Sequence, residues 1–159
     1  MKTNVKVLVP VLAAGLAAGA VAVPAAASPA GRTVTYTSEM RLYSPNGRPL
    51  NTVYGNCGKS WLTIRDVGVR KYQVKTGFQL SGGRKAISYA WTARITGPGH
   101  KRNQFWGGGL RARAKWEGQH THTVRAGRFR ASVVAGSHAV LTNRQICASG
   151  LPFSIASIR

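Results

Sequence analysis

The chain predicts an all-β fold, a single-domain antiparallel β-sandwich or barrel with one disulfide, on three observations. Short runs of β-branched and aromatic residues alternate with polar ones at a period of two. Turn signals rich in glycine, of which the chain has 19, separate these runs. No window keeps an apolar stripe at i, i+3, i+4 and i+7 with a cap, which a helix would need.

The first element is not part of the fold. Lys2 and Lys6 precede the apolar run VLVPVLAAGLAAGAVAV, and Ala25-Ala26-Ala27 supplies the small residues of a cleavage site. The run carries Pro10 and falls short of the ~20 residues a spanning helix usually needs, so it reads as a removable secretory signal, residues 1–27. Residues 28–159 then form one β domain. They contain no second apolar tail, so the expectation is free secretion to the cell exterior with no transmembrane segment in the mature chain. The two cysteines agree, because an even pair in an exported chain most often forms a bond. A Cys57–Cys147 link would close a loop of about 90 residues.

Strands are predicted at 33–39, 52–54, 60–66, 69–80, 86–96, 110–117, 121–124, 129–135, 139–146 and 153–158. Pro45-Asn46-Gly47, Gly82-Gly83, Gly97-Pro98-Gly99, Ala126-Gly127 and Gly136-Ser137 mark the turns. Gly83-Arg84 suits a two-residue hairpin, which would set Leu80 opposite Ile87, Phe78 opposite Tyr89 and Thr76 opposite Trp91. Lys71, Lys75 and Arg94 would then lie on the wet face. A second hairpin around Ala126-Gly127 would pair Val124 with Phe129 and turn Arg125, Arg128 and Arg130 outward. The expected core is Tyr72, Val74, Phe78, Ile87, Tyr89, Trp91, Leu110, Trp116 and Phe129.

FWGGGLRARAKWEGQ, residues 105–119, shows the pattern at its plainest. The glycines admit a bend, after which Leu110, Ala112, Ala114 and Trp116 alternate with Arg111, Arg113, Lys115 and Glu117. A half-buried strand with a cationic outer face is the expectation. The charge balance extends it: 23 Lys and Arg stand against 3 Asp and Glu, a net charge of +20. Solubility asks for a magnitude of only about 2 to 8. The expected partner is therefore an anionic polymer or surface, such as a cell-wall polyanion, an acidic polysaccharide or nucleic acid read without sequence specificity. Arg111, Arg113, Lys115, Arg128, Arg130, Lys71, Lys75 and Arg94 are the expected contacts.

Catalysis has few parts to draw on. Glu39, Asp66 and Glu117 are far apart in sequence, and no G-x-S-x-G elbow occurs. The alternative from a different class is an extracellular phosphodiester hydrolase, using His120 and His122 with Glu117 and nearby cations. His120 and His122 share a strand face, but no third or fourth ligand stands at a supporting interval, so neither metal nor cofactor is expected. Trp61 and Trp106 offer a further alternative, flat rings for stacking on sugars as in carbohydrate-binding modules. No motif ties the chain to a named family.

Overall fold

A computed structural model describes residues 35–43 and 56–159; the leader, the expected strand 52–54 and the turn at Pro45-Asn46-Gly47 lie outside the described residues. The strands are β1 (Tyr36–Tyr43), β2 (Asn56–Gly68), β3 (Lys71–Leu80), β4 (Ala86–Gly97), β5 (His100–Arg113), β6 (Lys115–Thr123), β7 (Gly127–Val133), β8 (His138–Leu141), β9 (Ile146–Ala148) and β10 (Phe153–Ile158). All pairings are antiparallel, in the order β10-β7-β4-β8-β9-β1-β2-β3-β6, with β5 on the other edge of β4. The all-β class and the disulfide follow the sequence: Cys57 is bonded to Cys147, joining β2 to β9 with their Cα atoms 6.0 Å apart.

The sheet doubles over, so that a half built on β4 (with β5, β7, β8 and β10) faces a half built on β3 (with β1, β2 and β6). Their inward side chains meet in one core. The rings of Phe78 and Trp91 lie 5.4 Å apart and those of Tyr72 and Phe129 5.5 Å apart, and all four are fully buried. Burying each such side chain stabilises the fold by roughly 1.5 to 3 kcal/mol. Trp91 Nε1 donates to Thr76 Oγ1 across the gap at 3.0 Å. Along one side the sheet turns through β8, β9 and β1. Along the other, β10 runs beside β2, where the Ile64 amide donates to Ser154 Oγ at 3.3 Å. β5 pairs only with β4 and β6 only with β3, so the sandwich stays open between those two edges.

Three expectations of pairing are corrected. β3 does not form a hairpin with β4: it pairs with β2 and β6, while β4 pairs with β5, β7 and β8. Residues 81–85 instead carry the chain across the core. An alternating strand directs the same residues inward whether its successor lies beside it or opposite it, so the core expectation survives with the pairing changed. Ile87 is the exception, because a bulge between Ala86 and Ser88 turns it outward to 43% exposure. Likewise β6 and β7 do not pair; β7 lies between β4 and β10.

The third correction concerns the opening of residues 105–119. Positions 110–117 are not one strand but the corner where β5 ends and β6 begins. Arg111 and Ala112 adopt φ of 46° and 58°, the left-handed region, and Ala112 and Ala114 are exposed. The sequence reading also missed β5 before residue 110. That strand follows Pro98-Gly99, a two-residue turn with Gly99 at φ 62° and Gly97 paired to His100.

Candidate polyanion interface

β4 sends Trp91, Ala93 and Ile95 into the core, so Thr92, Arg94 and Thr96 point away from it. Register then fixes who joins them. Arg94 stands opposite Ser132 of β7 on one side and Asn103 of β5 on the other. Thr96 stands opposite Arg130 and Lys101. Arg130 and Lys101 are thus two strand spacings apart, about 10 Å. Each lies diagonally from Arg94, about 7 to 8 Å away at the backbone. Arg128, two residues before Arg130 on the same strand face, extends the group by about 6 to 7 Å. Arg94, Lys101, Arg128 and Arg130 are all exposed. A shallow hollow of about 320 Å³ opens among Thr96, Gly97, Arg128, Arg130 and Ile155.

Every acidic side chain of the described residues lies in the other half. Glu39 is on β1, opposite Lys59. Asp66 accepts from Arg159 Nε at 2.9 Å, and a hydrogen bond from the Gly68 amide, then the Arg159 side chain, holds its carboxyl below the usual carboxylate value. Glu117 contacts Lys75 Nζ at 2.7 Å and Lys115 Nζ at 3.8 Å. The outer face of the β4 half therefore carries cations with no acidic side chain among them.

The expected contact residues are divided by this arrangement. Arg94, Arg128 and Arg130 come together, joined by Lys101, which the sequence reading did not select because the strand bearing it was missed. Lys71 and Lys75 lie on the outer face of the β3 half, Lys75 already engaged by Glu117. Arg111 and Arg113 sit at the β5–β6 corner, beside Lys115. Arg113 pairs with Ala86 at the far end of β4 from Thr96, roughly 30 Å away at strand rise.

Trp61 and Trp106 occupy different settings. Trp61 lies half-buried on the outer face of the β3 half, its ring laid over Gly77 and Lys115 Nζ 5.7 Å from the ring centre. Trp106 points inward opposite Trp91 and packs against Trp116 at 6.1 Å, helping to fill the open edge of the sandwich.

Between the β5 and β6 edges a second cluster forms. His120 and His122 stand opposite Val74 and Tyr72 on the core side of β6, with ring centres 4.4 Å apart. Glu117 stands opposite Gly77 on the other face, so the expected grouping of Glu117 with the histidines is not formed. His100 takes its place: its Nε2 lies 3.1 Å from the Tyr72 hydroxyl and its ring 6.5 Å from His122. Burial, with Arg102, His120 and His100 nearby, pushes His122 down to about 4, while burial pushes the Tyr72 hydroxyl up to about 12. His122 Nε2 is buried without a hydrogen-bond partner. His100 is twenty and more positions from the pair, and only the Pro98-Gly99 turn hints that β5 returns it toward them. Among the described residues no three His, Cys, Asp or Glu side chains are grouped to hold a metal ion, and no helix is long and apolar enough to cross a membrane.

Comparison with known proteins finds no matching family model, no matching curated protein and no matching solved structure.

Proposed function

We propose that this chain is an exported, cationic β domain that binds anionic polymers or surfaces without catalysis, through the outer face of its β4 half. One observation carries the reading. The acids all lie in the β3 half, so Arg94, Lys101, Arg128 and Arg130 stand together without an intramolecular counter-charge. Arginine forks match phosphate and sulfate geometry, and lysine adds a point charge. Each contact releases condensed counterions, so affinity is sequence-blind and falls steeply with salt. The leader-like N-terminus and the disulfide support an extracellular setting.

Binding of purified protein to immobilised heparin, duplex DNA and polyphosphate over a salt series tests the reading. All three should be retained at low salt and released at similar ionic strength. A protein that passes through all three unretained contradicts it.

A second reading, phosphodiester hydrolysis, is favoured by the meeting of His100, His122 and Tyr72 beside Arg102. A neutral imidazole and a nearby guanidinium are the parts a general base and a phosphorane stabiliser require. Cleavage of RNA or DNA that disappears in both His100→Ala and His122→Ala would replace the first reading with this one.

A further inference from the structure

We infer that the cationic outer face of the β4 half takes single-stranded nucleic acid, its phosphates on the arginines and its bases stacked on exposed aromatic rings at the two edges. The inference rests on the reading of this face as a polyanion site and names the polymer.

Aromatic rings flank the cations on both sides. Phe105 of β5 stands opposite Thr92, on the outward side, and is 63% exposed. Its ring lies over Gly107: a Cβ at that glycine would come within 2.8 Å of Phe105 Cζ. The absence of a side chain at 107 lets the ring lie over the sheet with its other face free. At the opposite edge, Phe153 of β10 stands opposite the outward Ser132. Its ring stacks on Tyr36 with centres 5.0 Å apart and planes 13° from parallel, and Arg130 lies over it at 4.9 Å. Phe153 and Tyr36 are 38% and 40% exposed; with Tyr36 on one face of Phe153 and Arg130 over the ring, the ring at this edge with a face left for a base is that of Tyr36.

Single file across the sheet, the order is Phe153, Ser132, Arg94 and Asn103, with Phe105 two residues beyond Asn103 on β5. That places the two aromatic edges about 16 Å apart, from three strand spacings across and two residues along. Arg94 falls between them, and Arg130 and Lys101 lie one step further along the strands, on either side of Thr96. A cationic track interleaved with aromatic platforms is the arrangement by which proteins hold single strands without reading sequence, since every base has a π-face. A duplex hides its base faces and would meet only the cations.

The hydrogen-bonding character of the face separates nucleic acid from acidic polysaccharide. Arg94, Lys101, Arg128 and Arg130 only donate, and the face has no carboxylate to accept from sugar hydroxyls. Asn103 already has its Oδ1 3.3 Å from Arg94 Nε. A ligand rich in acceptors and flat rings fits; one rich in hydroxyl donors finds few partners.

The test compares a fluorescent single-stranded oligothymidylate, a duplex of equal phosphate number and polygalacturonate, on the full mature chain. The single strand should bind tightest. Phe105→Ala should weaken it about 5-fold or more, leave the duplex unchanged and leave the salt slope unchanged, while Phe105→Tyr restores it. Phe105 is mostly exposed, so its removal should not lower the thermal midpoint; Tyr36→Ala, which leaves Phe153 and Arg130 in place, is the second variant and should likewise weaken the single strand but not the duplex. Equal binding of single strand and duplex, indifferent to Phe105, overturns this inference and leaves the polyanion reading standing. Tighter binding of polygalacturonate overturns it in favour of an acidic polysaccharide. Retention of none of the three overturns both.

Discussion

Thr76 is the hydroxyl on which the centre of the core turns, and Thr76→Val tests that directly. Its Oγ1 donates to the Trp61 carbonyl at 2.8 Å and accepts from Trp91 Nε1 at 3.0 Å. Thr76 and Trp91 are both 0% exposed. Valine keeps the shape and removes the acceptor, which leaves the indole N–H buried among Phe78 and Trp116, whose rings lie 5.4 and 5.8 Å from that of Trp91. An orphaned donor costs about 1 to 3 kcal/mol, beyond the second bond lost to Trp61. For a domain of this size the thermal midpoint should fall by roughly 4 °C per kcal/mol. The diagnostic is a double-mutant cycle by urea denaturation. In a Trp91→Phe background there is no N–H to strand, so Thr76→Val should cost at least about 1 kcal/mol less than in the native chain. Additivity within about 0.3 to 0.5 kcal/mol would refute the linkage between the two halves described here.

Other expectations follow from the same structure. Replacing Cys57 and Cys147 with alanine opens a loop of 90 residues and should lower unfolding free energy by about 4 to 5 kcal/mol, read from the denaturation midpoint under non-reducing conditions. Because His122 is held at about 4, below the ordinary 6.5, the unfolded chain takes up its proton first on acidification. Its contribution to stability is full above about pH 6.5 and is lost as pH falls toward about 4, a window above that in which Asp66 titrates. Thermal midpoints should therefore fall between neutral pH and the lower end of that window, and fall less in His122→Asn. Gly77→Ala places a methyl against the Trp116 carbonyl and within 2.6 Å of Trp61 Cζ2, and should cost about 1 to 3 kcal/mol with loss of the native tryptophan fluorescence. An alanine variant as stable as the native protein would show that Trp61 does not lie on Gly77.

Local chemistry was legible in the sequence and strand pairing was not. The stretch 153–158 is β10 to the residue, and Phe78, Trp91 and Phe129 are buried as their alternation requires. Cys57 and Cys147 were readable because a leader-like N-terminus favours a bond and two cysteines leave one pairing. What alternation does not encode is whether the strand after a turn stays in its own layer or crosses the core. Gly83-Arg84 and Ala126-Gly127 read as hairpin turns, and both lie where the chain changes halves. The corner at Arg111 and Ala112 escaped for a related reason: the left-handed residues are an arginine and an alanine, while the neighbouring glycines drew the bend to themselves. With β5 unseen, Lys101 and Phe105 could not be placed beside Arg94, nor His100 beside Tyr72. The cationic face joins β4, β5, β7 and β10, and only long-range register assembles it.

The salt dependence of single-strand binding, measured side by side on two charge-neutralised variants, tests the central claim most directly. One carries Arg94, Lys101, Arg128 and Arg130 as glutamine; the other carries Arg111, Arg113 and Lys115 as glutamine. A single-strand phosphate contact contributes about 0.7 to the slope of log affinity against log salt, so removing the four outer-face cations should flatten the slope by up to about 3 and weaken binding at low salt. The corner variant should keep most of the native slope and affinity. A corner variant that loses binding while the outer-face variant keeps it would contradict the account.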